Sequence, residues 1–211
     1  MKTAYLILEN GEIFTGGAFG AENDTVGEIV FTTAMTGYLE TLTDPSYEGQ
    51  IVVQTFPLIG NYGVIEEDFE SAKPHLRAYI VKHPCDAPSN FRSSGCLDAF
   101  LKKHNIAGLC GIDTRKLTKI IRNKGVMCGK ITYSQPTEKD LEEARGYLVA
   151  APVTRVSPKS PSEKDRDGKR IALLDFGAKN GIEAALLERN CAIKRFPYNA
   201  SFESIMEFSP D

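Results

Sequence analysis

KRIALLDFGAKNGIEAALLERNCAIKRFPYN, residues 169–199, is the stretch whose reading decides the fold. KRIALLDF is an apolar run, GAKNG a turn, IEAALLERN an amphipathic helix and CAIKRFPYN a second strand. Strand, turn, helix and strand in that order make the opening βαβ of a doubly wound sheet. One such unit cannot cover both faces of its own sheet. The stretch therefore reads as the start of a larger domain, with the chain ending inside it at SPD (209–211).

Upstream, APVTRVSPKSPSEKDRDGK (151–169) is rich in Pro, Ser and charge and has almost nothing to bury. It reads as a linker, or as a pair of strands too polar to recognise. Residues 1–150 then form a first domain and 170–211 the beginning of a second. The first opens with strand formers in AYLILE (4–9), GEIVFTTA (27–34) and QIVVQTF (50–56), separated by Gly, Asn and Asp turns. Glu9-Asn10-Gly11 turns the first of these into a hairpin. After Pro74, LRAYIVKH (76–83) is another strand. In SSGCLDAFLKKHN (93–105), Leu97, Phe100 and Leu101 recur at helical spacing, with Ser93 or Ser94 as cap. In DTRKLTKIIRNKG (113–125), Asp113 caps, Leu117, Ile120 and Ile121 form the buried stripe, and Gly125 stops the helix. NIAGLCGI (105–112) between them is a short apolar strand, and PTEKDLEEARGYL (136–148) is a short helix. The fold class is α/β, mixed in the α+β sense.

A chain of 211 residues buries roughly 70% of its unfolded surface, enough for one large domain or two small ones. With 42% apolar residues, 25% charged residues and a net charge of −3, the composition favours neither nucleic acid nor an anionic membrane surface. No apolar run approaches the ~20 residues that cross a bilayer. The apolar run Ala4–Leu8 is shorter than the ~7–15 residues of a signal-peptide core. Five cysteines, irregularly spaced, do not make a disulfide framework, and a reducing cytoplasm is the simplest compartment.

Several residues invite a chemical reading and have a plainer one beside it. His83-Pro84-Cys85 has no second His/Cys pair near it, so it reads as loop residues and no metal site is expected. FGAKNG (176–181) follows a strand and opens a helix, the context for an anion, yet it matches no phosphate-binding signature. Its glycines serve a tight turn and Lys179 reads as solvated. Arg115, Lys119 and Arg122 lie on one helix face with Lys116 and Lys124 nearby; this suits nucleic acid, and equally the wet face of any helix. No aromatic platform accompanies them. GLCGI (108–112) approaches a nucleophile elbow but has Ile112 where the second glycine belongs, so Cys110 reads as core. TDPSYEGQ (43–50) lifts Ser46 on a turn set by Asp44-Pro45. A nucleophilic serine needs a base, and the chain offers only His75, His83 and His104.

VGEIVFTTAMTGYLETLTDPSYEGQIVVQTFPLIGNYG (26–63), SNFRSSGCLDAFLKKHNIAGLCGIDTRKLTKIIRNKG (89–125) and IALLDFGAKNGI (171–182) occur in that order. Through them the chain resembles, over essentially its whole length, the small, glutamine-using subunit of carbamoyl-phosphate synthase. MTGYLETLTDPSY and GIDTRKLT are the most specific strings. The resemblance implies a layered β/β/α swivelling amino-terminal domain over 1–150, a linker over 151–169, and a truncated class I glutamine amidotransferase domain of flavodoxin-like core over 170–211. It implies a catalytic cysteine, histidine and glutamate beyond Asp211, so no catalytic residue lies in these residues and they alone are inactive. The ammonia would be channelled to a large subunit, a heterodimer partner that uses ATP and Mg with bicarbonate to make carbamoyl phosphate for pyrimidine or arginine biosynthesis, or both. The chain itself would bind no cofactor and no metal. Ser46 would hydrogen-bond the substrate L-glutamine, its direction fixed by Pro45. Thr33, Ala34, Met35, Thr36 and Gly37 would lie near the ammonia exit. Gly181 stands where relatives commonly carry a larger polar residue, which affects a turn only. The alternative is a non-enzymatic scaffold or interaction domain that retains the fold alone.

Overall fold

A computed structural model describes residues 1–211. Strands β1 (Thr3–Leu8), β2 (Ile13–Gly20) and β3 (Thr25–Thr32) lead into helix α1 (Tyr38–Thr43), then β4 (Gln50–Gln54) and β5 (Leu58–Ile59). There follow β6 (Ala78–Val81), β7 (His83–Pro84), α2 (Leu97–Lys103), β8 (Ala107–Cys110), α3 (Thr114–Lys124), β9 (Met127–Thr132) and α4 (Glu138–Arg145). Seven of these strands close into a barrel in the order β1-β2-β8-β6-β4-β3-β9. The run β8-β6-β4-β3 is parallel, and the other pairings are antiparallel.

Strand period two sorts the core into two layers. Leu6, Phe14, Ile29, Ile51, Val53, Ile80, Leu109 and Ile131, drawn from all seven barrel strands, form one buried cluster, joined by Leu117 and Ile121 of α3. Alternate residues of the same strands, Val52, Tyr79, Val81 and Cys110, point the other way into a second cluster with Leu39 and Leu42 of α1 and Leu97, Phe100 and Leu101 of α2. The barrel is therefore filled inside and covered by helices over one sector outside. The mixed α/β class is as expected. The sheet closes on itself, because β1 pairs on both sides. Leu6 sits opposite Phe14 of β2 and opposite Ile131 of β9.

Where the sequence names a cap, the helix ends follow it with one exception. Asp113 accepts the Lys116 amide at the start of α3, and Gly125 at φ 92 ends it. Thr137 and Asp140 form a reciprocal capping box on α4. The exception is α2, which begins at Leu97 with Cys96 as N-cap. Ser93 and Ser94 do not cap it, since their hydroxyls donate to the carbonyls of Gly95 and Val64.

The remaining elements are α5 (Pro152–Val156), β10 (Ser162–Lys164), β11 (Arg170–Asp175), α6 (Asn180–Glu188), β12 (Ala192–Pro197) and α7 (Phe202–Glu207). β11 and β12 are parallel, Ile171 opposite Ile193, with α6 as the crossover, as the alternation of apolar run and amphipathic helix requires. The polar stretch 151–169 adds a short helix and an edge strand, β10, antiparallel to β12. No helix is long and apolar enough to cross a membrane.

Candidate functional site

Ser46 lies where the barrel unit meets the βαβ unit. Pro45–Tyr47 form a single 3-10 turn with proline at its first position, and Asp44 Oδ1 accepts the Ser46 amide at 2.9 Å. Asp44 and Pro45 are buried while Ser46 is exposed, so the turn stands on a fixed base and shows its hydroxyl side to solvent.

Two ion pairs flank the turn. Lys179, just before α6, places its Nζ 2.6 Å from Asp44 Oδ2. The hydrogen bond to that carboxylate raises the pKa of Lys179. Lys179 is thus a tie between units, not the solvated lysine the sequence suggested; its partner is too distant in sequence for local pattern to show. On the other side, Glu48 Oε1 accepts from Arg155 Nε of α5 at 2.7 Å, and its Oε2 lies 3.5 Å from His75 Nδ1. Burial lowers the His75 pKa against the opposing pull of Glu48.

Backbone approach is close as well. Gly177 has φ 107, and a Cβ there would lie 2.9 Å from Val156 Cγ2 and 3.2 Å from Pro45 Cβ. Only glycine takes that conformation and that space without strain. The start of α6 is also engaged. Asn180 N donates to the Glu70 carbonyl at 2.8 Å, and Gly181 N to Glu70 Oε2 at 3.1 Å. In the same turn Asp175 Oδ1 accepts the Gly177 and Ala178 amides, and Arg195 pairs with the same carboxylate. Of the donors that would cradle a phosphate at 176–181, the amides of Gly177, Ala178 and Gly181 are satisfied by the chain's own carboxylates and that of Asn180 by the Glu70 carbonyl.

The loop Thr33–Gly37 joins β3 to α1. Thr33, Ala34, Met35 and Thr36 are exposed, Met35 to 71%. Polar groups beneath hold its backbone. Gln54 Nε2 donates to the Ala34 carbonyl at 2.5 Å, and Tyr79 OH donates to Gln54 Oε1 at 3.1 Å. The Tyr62 hydroxyl accepts the amides of Gly37 and Tyr38 at 3.0 and 3.1 Å. Nothing local in the sequence marked Gln54 or Tyr62; a polar residue at 0% exposure, as Gln54 is, is the signal that finds them.

The structure does not bring a nucleophile and base together. Cys110 is buried in β8 with its Sγ 3.5 Å from Met1 Sδ, and burial raises its pKa. His104 lies against Phe100 with ring centroids 4.7 Å apart and planes tilted by 55°, and His83 is in β7. No three His, Cys, Asp or Glu side chains gather to hold a metal ion.

A barrel that fixes an exposed serine against a separate βαβ sheet defines a mixed α/β protein with a displayed hydroxyl and no activated nucleophile. The particular family follows from comparison with known proteins. The chain belongs to the carbamoyl-phosphate synthase small-chain family, whose CPSase domain matches residues 6–131. It is 47% identical over 211 residues to the carbamoyl phosphate synthase pyrimidine-specific small chain of Halalkalibacterium halodurans, covering 98% of this chain and 58% of that one. It is 48% identical over 215 residues to the carbamoyl phosphate synthase small chain of Bacillus caldolyticus, covering 98% and 57%. With that of Clostridium perfringens the identity is 46% over 209 residues, covering 99% and 60%. The chain thus spans a little over half the length of these relatives.

Proposed function

We propose that these residues are the amino-terminal part of a small subunit that supplies ammonia from glutamine to a large carbamoyl-phosphate synthase subunit. The large subunit would use ATP and Mg with bicarbonate, for pyrimidine or arginine biosynthesis, in the cytoplasm. Glutamine hydrolysis belongs to a cysteine, histidine and glutamate beyond Asp211, so residues 1–211 alone are inactive toward glutamine and bind no cofactor. The stretch 170–211 begins the flavodoxin-like amidotransferase domain, and the barrel unit makes much of the large-subunit contact.

Ser46 is a glutamine contact in this reading, and Thr33–Gly37 line the ammonia exit. One observation carries the role of Ser46: the residue is exposed while the base of its turn is buried and clamped against the βαβ unit. A hydroxyl held this way needs no base to act as a hydrogen-bond partner. One lost hydrogen bond is worth about 0.5–1.5 kcal/mol, so Ser46→Ala raises the glutamine KM by up to roughly tenfold. The assay uses a polypeptide carrying this chain and the remaining length of its relatives, together with the large subunit. Ammonia-dependent synthesis stays unchanged. Equal glutamine kinetics in variant and parent refute the role of Ser46.

A further inference from the structure

A cleft of about 660 Å³ opens between α3 and the barrel rim, lined on the rim by Thr33, Lys82 and His83 among others and on α3 by Arg115, Lys119 and Arg122, with no hydrophobic side chain. Its charge is one-sided. Arg115, Lys119 and Arg122 are exposed on α3, on one face at i, i+4 and i+7. None of the three is in an ion pair, whereas Lys116, turned to the neighbouring face, lies 3.2 Å from Glu12. Lys82 adds a fourth cation from the barrel rim, its Nζ donating to the Ile112 carbonyl at 3.2 Å. The one carboxylate in the lining, Asp113, is committed to capping α3. Thr33, in the exposed loop after β3, forms part of the rim.

We infer that this cleft is a docking site for an acidic segment of a protein partner. Residues at i and i+7 of a helix stand ~10 Å apart, which is wider than a single phosphate or carboxylate but matches several acidic side chains along a segment. A small ligand is held largely by apolar burial with a few polar groups to orient it, and the lining of this cleft holds no hydrophobic residue. Charges exposed as these are gain little singly against water and salt, and act together through steering and complementarity over an extended contact. Nucleic acid is disfavoured by the net charge of −3 and by the absence of any Phe, Tyr or Trp in the lining. The inference rests on the proposed function only in taking the large subunit as the partner.

The test measures binding of residues 1–211 to the large subunit encoded with this chain, by calorimetry or surface plasmon resonance between 50 and 500 mM salt. The parent chain is compared with Arg115→Glu/Lys119→Glu, with Arg122→Glu, and with the control Lys159→Glu/Arg166→Glu on the linker, which makes the same charge change elsewhere. All altered side chains are exposed, and circular dichroism checks that each variant is folded. The cleft pair is expected to weaken binding roughly tenfold or more and to flatten its salt dependence, Arg122→Glu to do so less, and the control to bind as the parent does. Parent binding with unchanged affinity in both cleft variants overturns the inference and leaves the proposed function standing. No parent binding at any salt overturns the choice of partner, and with it the large-subunit contact proposed above. Tighter binding to an oligonucleotide than to the large subunit, lost in the cleft variants, overturns it in favour of nucleic acid.

Discussion

Asp44 does two jobs at the junction, and they separate by substitution. Its Oδ1 caps the Ser46 turn at 2.9 Å and its Oδ2 holds Lys179 at 2.6 Å. Loss of a side-chain cap costs about 1 kcal/mol. The side chain of Lys179 is 42% exposed against 10% for Asp44, so screening limits the ion pair to about 0.5–1 kcal/mol. Asp44→Ala removes both and is expected to cost about 1.5–2 kcal/mol. Asp44→Asn keeps an acceptor for the Ser46 amide and loses only the charge, for about 0.5–1 kcal/mol. Lys179→Met leaves the Asp44 carboxylate without its cation, and its cost is expected to lie between those two. The assay is urea unfolding at neutral pH, followed by circular dichroism and tyrosine fluorescence, with the Asp44→Asn/Lys179→Met double variant completing a cycle. Only the ion-pair share should shrink in high salt. Equal losses for Asp44→Ala and Asp44→Asn would show that the cap contributes nothing. Additive losses in the cycle would show that the pair does not couple the units.

Two further outcomes follow from buried polar groups. Lys130 and the Thr137 hydroxyl hold the Asp140 carboxyl down from 3.8 to about 2, so its contribution to stability is present above pH 3.8 and disappears as the pH falls toward 2. That contribution is about 1–2 kcal/mol after solvent screening; urea midpoints of the parent should fall more steeply over this interval than those of Asp140→Asn, and parallel curves refute it. Tyr62→Phe removes the acceptor of the Gly37 and Tyr38 amides but keeps the ring that stacks on Tyr38 at 4.2 Å. Hydrogen exchange at those two amides should speed up by roughly tenfold while Val52 stays protected; unchanged exchange would mean that Tyr62 does not hold the loop.

What the sequence made legible was local. The βαβ at 169–199 declared itself by a change of period, and α3 by Asp113, the Leu117–Ile121 stripe and Gly125. The barrel did not declare itself, because its closing strand hides its pattern. In MCGKIT (127–132), Gly129 is needed where a Cβ would come within 2.5 Å of Ile29 Cδ1. The next residue, Lys130, is 6% exposed and meets Asp140 and Glu143 at 2.7 and 2.6 Å. Glycine and a buried ammonium break the alternation by which a strand is read, and their reasons lie on β3 and α4. Helix α1 is only six residues long and begins at Gly37 in the left-handed region, so neither length nor cap announced it. Of the candidate site, the turn at Asp44-Pro45-Ser46 was legible from residue chemistry. The residues that clamp it, Lys179, Arg155 and Gly177, were not, since each finds its partner across the whole first unit.

That clamping bears on why a single hydroxyl can serve at this place. A serine on a mobile loop would lose backbone freedom each time it met a ligand, about 1–2 kcal/mol per residue fixed, which cancels the 0.5–1.5 kcal/mol a hydrogen bond returns. Here the backbone is fixed beforehand by Pro45, by the Asp44 cap, by the pairs Asp44–Lys179 and Glu48–Arg155, and by contact with Gly177. Only the Ser46 side-chain torsion and its hydroxyl rotor remain to be ordered. The carboxylates at this junction, Asp44, Glu48 and Glu70, come from the barrel unit, and the donors they meet across it come from α5 or the start of α6. The ion pairs therefore act as positioning contacts more than as sources of stability, which is why the loss expected for Asp44→Asn is only about 0.5–1 kcal/mol.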